Sequence, residues 1–224
     1  MTTPNVIVNA GNFFVADVAE RIAQSDLISD AKAAEMFEQL CEHFERHHAH
    51  LNDETTAAQV GFFLVNRALH ILGYTHSHNE RLNDDVRIEY TLFNSADAFK
   101  SHHAARGTLA FFNGACGIAK LAAWSADLDA PVSHNNEAGD PAAYELDEWL
   151  AKTNLQWAIL TNGRLWRLFH KNTCKTLNTF AEVNLLDIIE KKDVAAFKAF
   201  ASIFCSKAIT ADKSGSCPDK KLLG

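Results

Sequence analysis

The chain has 224 residues, 47% hydrophobic and 22% charged, with a formal net charge of -7. That length suits one core with a helical attachment. No stretch approaches 18 apolar residues, which excludes a membrane-spanning helix on sequence grounds, and the N-terminus shows no basic secretory leader. The acidic balance argues against a generic polyanion binder, because nonspecific nucleic-acid affinity rests on phosphate neutralisation by Lys and Arg. Five cysteines (Cys41, Cys116, Cys174, Cys205 and Cys217) share no CxxC spacing and read as reduced, buried thiols of a cytoplasmic protein.

In chain order, Asn9 or Asn12 is placed to cap a helix from Phe13 to Gln24, with Phe14, Val18 and Ile22 on one face. Ser29 or Asp30 opens a longer helix through His50, with Ala33, Phe37, Leu40, Cys41 and Phe44 in a stripe. Asp53 starts a third helix ended by Gly73. It is apolar on several sides (Val60, Phe62, Leu64, Val65, Leu69), the pattern of a buried spine.

VRIEYTLF, residues 86–93, alternates and is rich in β-formers, so it predicts a strand. A polar helix is expected over Ala96–Arg106 and a short strand ending at Lys120. Residues 125–139 are rich in turn formers and read as a loop, after which Asp140 and Pro141 open a helix through Lys152. LQWAILT and RLWRLFH flank Asn162-Gly163, a dipeptide that favours a two-residue hairpin turn. Helical sequence follows from Leu185 to Phe204, then a polar tail. The element order is that of an α/β chain with a mixed sheet flanked by helices. The boundaries are an N-terminal helical subdomain (1–75), the core (76–205) and the tail or start of a connector (206–224).

Few chemical motifs stand out. His43, His47 and His50 lie at i, i+4 and i+7, a spacing that suits a transition metal and equally a solvated helix end. His76/His78 and His102/His103 look like exposed loop or helix-edge pairs. No nucleophile elbow, dinucleotide loop or P-loop is present. The four tryptophans read as packing. Glu89 on one strand, Lys120 on the next and Glu145 on the following helix are residue types that a phosphodiester-hydrolysing site requires. Carboxylates hold Mg²⁺, and a lysine orients water or offsets developing charge.

Four segments carry a resemblance: IEYTLF, GIAKLAAWSADLD, DPAAYELDEWL and WAILTNGRLWRLF. Together they resemble the N-terminal nuclease domain of type IIG restriction–modification enzymes, a branch of the PD-(D/E)XK superfamily. That family's pattern runs P-D-Y-A-L-F, V-E-A-K-x-W, N-P-x-x-Q-x-x-x-Y-L and W-G-I-L-T-N-G-x-x-W-R-L-Y. The helix ETTAAQVGFFLVNRALHILGY is similar to the one preceding the family's first catalytic strand, so the likeness spans roughly residues 13–205. It implies a restriction-endonuclease-like core, Mg²⁺-dependent cleavage of DNA, and a methyltransferase or specificity domain in addition to this chain.

By the same resemblance, Glu89 takes the place of the metal-binding Asp, Ile118 that of the Glu in E-A-K, Lys120 keeps the Lys, and Glu145 replaces a Gln. An aliphatic side chain offers Mg²⁺ no oxygen. Two readings follow. In one, the missing carboxylate has moved to Glu145, so that Glu89 and Glu145 bind metal and Lys120 orients water. In the other, the site has decayed and a noncatalytic module for DNA or protein binding persists. Arg164 and Arg167, beside the hairpin, are candidates for contact with DNA phosphates, or for salt bridges and simple solvation.

Overall fold

The structure, a computed structural model, describes residues 6–14, 27–83, 86–134, 137–174 and 178–210. The helix expected over Phe13–Gln24 falls mostly outside them. Among the described residues the Asn9 side chain clamps a turn, exchanging two hydrogen bonds with the backbone of Phe14.

Helix α1 spans Asp30–His47 and continues as a 3₁₀ turn through His50. Ser29 caps it by accepting from the Lys32 N–H, and Ala33, Met36, Phe37 and Leu40 form its buried face. The next rod begins with α2 (Ala57–Val60), held by a reciprocal capping box between Thr56 and Gln59. It runs on through a π-helical turn, Gly61–Val65, into α3, Asn66–Ile71. The turn lies where the rod presses on the sheet. A Cβ on Gly61 would sit 2.5 Å from the Tyr90 hydroxyl and 3.1 Å from Leu121 Cδ2, so only glycine allows this approach. The sequence made Phe62 part of the buried spine, but it is 71% exposed. The rod packs on the sheet through Val60, Leu64, Val65, Ala68 and Leu69.

The strands are β1 (Ile7–Ala10), β2 (Thr75–Arg81), β3 (Arg87–Phe93), β4 (Gly117–Leu121), β7 (Trp157–Thr161), β8 (Leu165–His170) and β9 (Phe180–Asn184), with a separate hairpin of β5 (Pro131–His134) and β6 (Glu137–Pro141). The large sheet has seven strands in the order β1-β9-β8-β7-β4-β3-β2. Among the described residues only the β4–β7 pairing of this sheet is parallel. A parallel pair needs a crossover, and α6 (Ala142–Thr153) supplies it. The chain is therefore an α/β fold with a mixed open sheet, as the element order predicts.

Helices cover both faces. On one, α1, α2, α3 and α8 (Val194–Phe204) share a core with Tyr90, Leu92, Ala119, Ile159, Trp166 and Leu168. On the other, α5 (Leu109–Phe112) and α6 pack on Ile118, Ala158, Leu160 and Phe169. The helix expected over Ala96–Arg106 is α4 (Ala96–His102) followed by a 3₁₀ turn. The C-terminal helical stretch is two helices, α7 (Leu185–Lys191) and α8, parted at Lys192 in a left-handed conformation. The part of the tail within the described residues forms a short buried helix, α9, at Ser206–Ile209. No helix among the described residues is long and apolar enough to cross a membrane.

The Asn162-Gly163 turn departs from expectation. The last pair between the two strands is Thr161 with Trp166, and β8 begins at Leu165, so a three-residue loop, 162–164, joins them. Asn162 is fully buried. Its side chain accepts from the Arg164 and Leu165 N–H groups and donates to the Ala126 carbonyl. The asparagine thus ties the hairpin to the segment that leaves β4.

Candidate functional site

Strands β3 and β4 pair through only three positions, Leu92–Gly117, Thr91–Ile118 and Tyr90–Ala119. Beyond them the Leu121 N–H finds its acceptor in a side chain, the Glu89 carboxylate, at 3.2 Å. On the neighbouring side Leu121 pairs with Thr161. Glu89 therefore caps the point where the β3–β4 ladder ends.

Lys120 projects from β4 on the same side as Ile118, toward α6, because residues two apart share a face. Its Nζ is 2.8 Å from Glu145 Oε2 and lies 5.3 Å from the centre of the Trp149 ring. Glu145 and Trp149 are one helical turn apart on α6, so both meet the lysine. Three elements that are distant in sequence thus bring Glu89, Lys120 and Glu145 to one end of the sheet. Burial raises the Glu89 carboxyl above its ordinary range, and the Glu145 charge adds to this, while the Leu121 N–H and Lys120 oppose it.

Ile118 has no exposure and packs in the α6-side core. Directly across the ladder is Thr91, whose buried hydroxyl has no hydrogen-bond partner, and beyond it Ser77, buried and unpartnered as well. An orphaned hydroxyl in a core costs about 1–3 kcal/mol. Here two lie in register beside an isoleucine that neither can bond.

The donor set can be tested against Mg²⁺. The ion requires oxygen ligands in near-octahedral geometry, often one or two carboxylates completed by water and phosphate. Glu89 is occupied by a backbone N–H and is pushed toward protonation; Glu145 is neutralised by Lys120; Ile118 offers no donor. Among the described residues no group of three or more His, Cys, Asp or Glu side chains is placed to hold a metal ion. The residues present do not fit a resident Mg²⁺.

Set against protein-family models, curated proteins and solved structures, the chain matches none of them.

The two arginines of the hairpin diverge. Arg167 is buried between two carboxylates, with Nη1 2.6 Å from Asp129 Oδ1 and Nε 2.5 Å from Glu182 Oε2, and its guanidinium lies 4.2 Å over the Phe180 ring. Burial opposes its charge, but the two carboxylates outweigh this and raise its pKa, while Asp129 is lowered by its hydrogen bonds from Arg167. The side chain is a core clamp, not a free phosphate contact. Arg164 lies 5.7 Å over the Trp124 ring, and its buried Nε has no partner.

The sequence reading missed Asp129 and Glu182 as the partners of Arg167, and Thr91 as the neighbour of Ile118. The strand register reveals Glu182 and Thr91, and the path of the loop after β4 reveals Asp129. Trp149 was within reach of sequence reasoning, because its spacing from Glu145 puts both on one helical face.

His76 and His78 lie on β2, not in a loop, and contact Tyr90 with ring centres at 5.5 and 4.3 Å. All four tryptophans are buried, as packing requires, and the four cysteines within the described residues are free thiols.

Proposed function

We propose that this chain is a PD-(D/E)XK-like domain of a restriction–modification system that binds DNA without cutting it. The order of helix, three-stranded meander, crossover helix and parallel strand supports the nuclease-like core. So does the gathering of Glu89, Lys120 and Glu145 where β3 and β4 part.

One observation carries the loss of cleavage: Ile118 is sealed in the core while Lys120 is held by Glu145. Burying such a side chain stabilises the fold by about 1.5–3 kcal/mol, so the position now serves packing. Lys120 bridges β4 to α6, and Glu89 ends the ladder, so both have structural work independent of any reaction. With the fold intact and the centre neutralised, binding is the remaining role, and DNA is the partner that the family resemblance implies.

A second reading, a Mg²⁺-dependent endonuclease using Glu89 and Glu145 as ligands, is favoured only by the closeness of the two carboxylates to one lysine. It requires the Lys120–Glu145 pair to open.

The test is a supercoiled-plasmid assay with Mg²⁺ and then Mn²⁺, beside anisotropy with a labelled duplex. The plasmid is expected to stay supercoiled, with duplex binding that survives chelation and Glu145→Ala. Nicking that disappears in Lys120→Ala would establish the second reading; no duplex binding at all would remove DNA as the partner.

A further inference from the structure

The histidine-rich end of α1 is not used by the site above. His43 and His47, one turn apart, have ring centres 4.6 Å apart, within reach of a single ion. The Nε2 atom of His43 is 2.9 Å from the Phe63 carbonyl, in the π-helical turn of the neighbouring rod. A carbonyl only accepts, so Nε2 carries the proton and donates it, leaving Nδ1 with the lone pair. Histidine ligands of metals commonly have this arrangement, in which the second ring nitrogen donates to a carbonyl that fixes tautomer and ring orientation.

We propose that His43 and His47 form a two-imidazole site for a first-row transition-metal dication of the Zn²⁺, Ni²⁺ or Cu²⁺ class, with water completing the coordination. Imidazole suits these ions. His50 does not join the pair; it stacks on Phe63 at 4.8 Å, with ring planes 14° apart. His48 turns to the Glu45 carbonyl at 2.8 Å. No third His, Cys, Asp or Glu completes a cluster among the described residues, so the site has open positions. The nearby cations are directed elsewhere, Arg46 to Glu42 and Arg67 to Gln39.

The experiment is calorimetric titration of the full chain with Ni²⁺ or Cu²⁺ alone, at pH 7.5. Wild-type protein is expected to show a site whose affinity falls at least tenfold in His47→Ala and is unchanged in His50→Ala. His47→Ala spares the bond to Phe63, so its effect is separable from misfolding, which circular dichroism would report. Metal-soaked crystals should give an anomalous peak between the two rings. Unchanged affinity in His47→Ala, or a peak only elsewhere, for instance at His76 and His78, would overturn the proposal.

Discussion

Replacing Arg167 with methionine isolates what the buried clamp contributes. The guanidinium holds Glu182, whose side chain is 16% exposed, and Asp129, whose side chain is 67% exposed. Removing it leaves Glu182 charged and unpaired in a largely dry site, a loss that typically costs about 3–5 kcal/mol. The Asp129 arm contributes little, since an exposed carboxylate regains water and such pairs are worth about 0–1 kcal/mol. Loss of the contact over Phe180 adds roughly 0.5–2 kcal/mol, partly offset because methionine restores apolar contact. The expected destabilisation is about 3 kcal/mol, read as a shift in urea midpoint at unchanged slope. A double change, Arg167→Met with Glu182→Leu, should recover part of it, because no orphaned charge remains. A loss below about 1 kcal/mol in the single variant would refute the clamp and return Arg167 to the candidates for DNA contact.

Two further outcomes follow from groups that the site does not use. Burial, with His78 and His70 nearby, lowers the His76 pKa from 6.5 to about 4. The unfolded chain then binds the proton that the folded one excludes, so this contribution is intact above pH 6.5 and is lost as pH falls toward 4. At full effect it amounts to roughly 3 kcal/mol; partial exposure reduces this to on the order of 2 kcal/mol. Urea midpoints at pH 7 and pH 5 should therefore differ less in His76→Gln than in wild type, and an equal difference would contradict the assignment. Separately, Thr91→Val removes an unpartnered buried hydroxyl at nearly constant shape and should raise stability by about 1 kcal/mol. A drop of that size would mean the hydroxyl is bonded.

Much of the frame was legible in the residues. Ser29 and Gly73 mark helix ends through the capping chemistry that the sequence displays. Val86–Phe93 is rich in β-formers, and β3 lies between two paired strands with most of its residues buried. The missed strands are those whose side chains carry no such signal. Strand β2, THSHNER, lies at the sheet edge and needs little apolar pattern, so its backbone pairing with β3 alone defines it. Strands β1 and β9 are short and pair with each other across the 169 residues between Ala10 and Phe180. The β5–β6 hairpin hides in a stretch whose prolines, glycine and asparagines read as turn.

Of the site, Glu89, Lys120 and Glu145 were nameable from the family resemblance. That Lys120 is tied to Glu145 rather than left free depends on how α6 crosses the sheet, which no local pattern encodes. The same holds for Arg167, whose partners come from the loop after β4 and from β9.

The central claim is that the charges where β3 and β4 part serve the fold and hold no metal. Its most direct test is an anomalous difference map from crystals soaked in Mn²⁺. The account predicts no peak within coordination distance of Glu89 and Glu145, with Lys120 still on Glu145 and Ile118 packed in the core. A peak bridging the two carboxylates, with Lys120 displaced, would contradict it and make the protein a metal-dependent nuclease candidate.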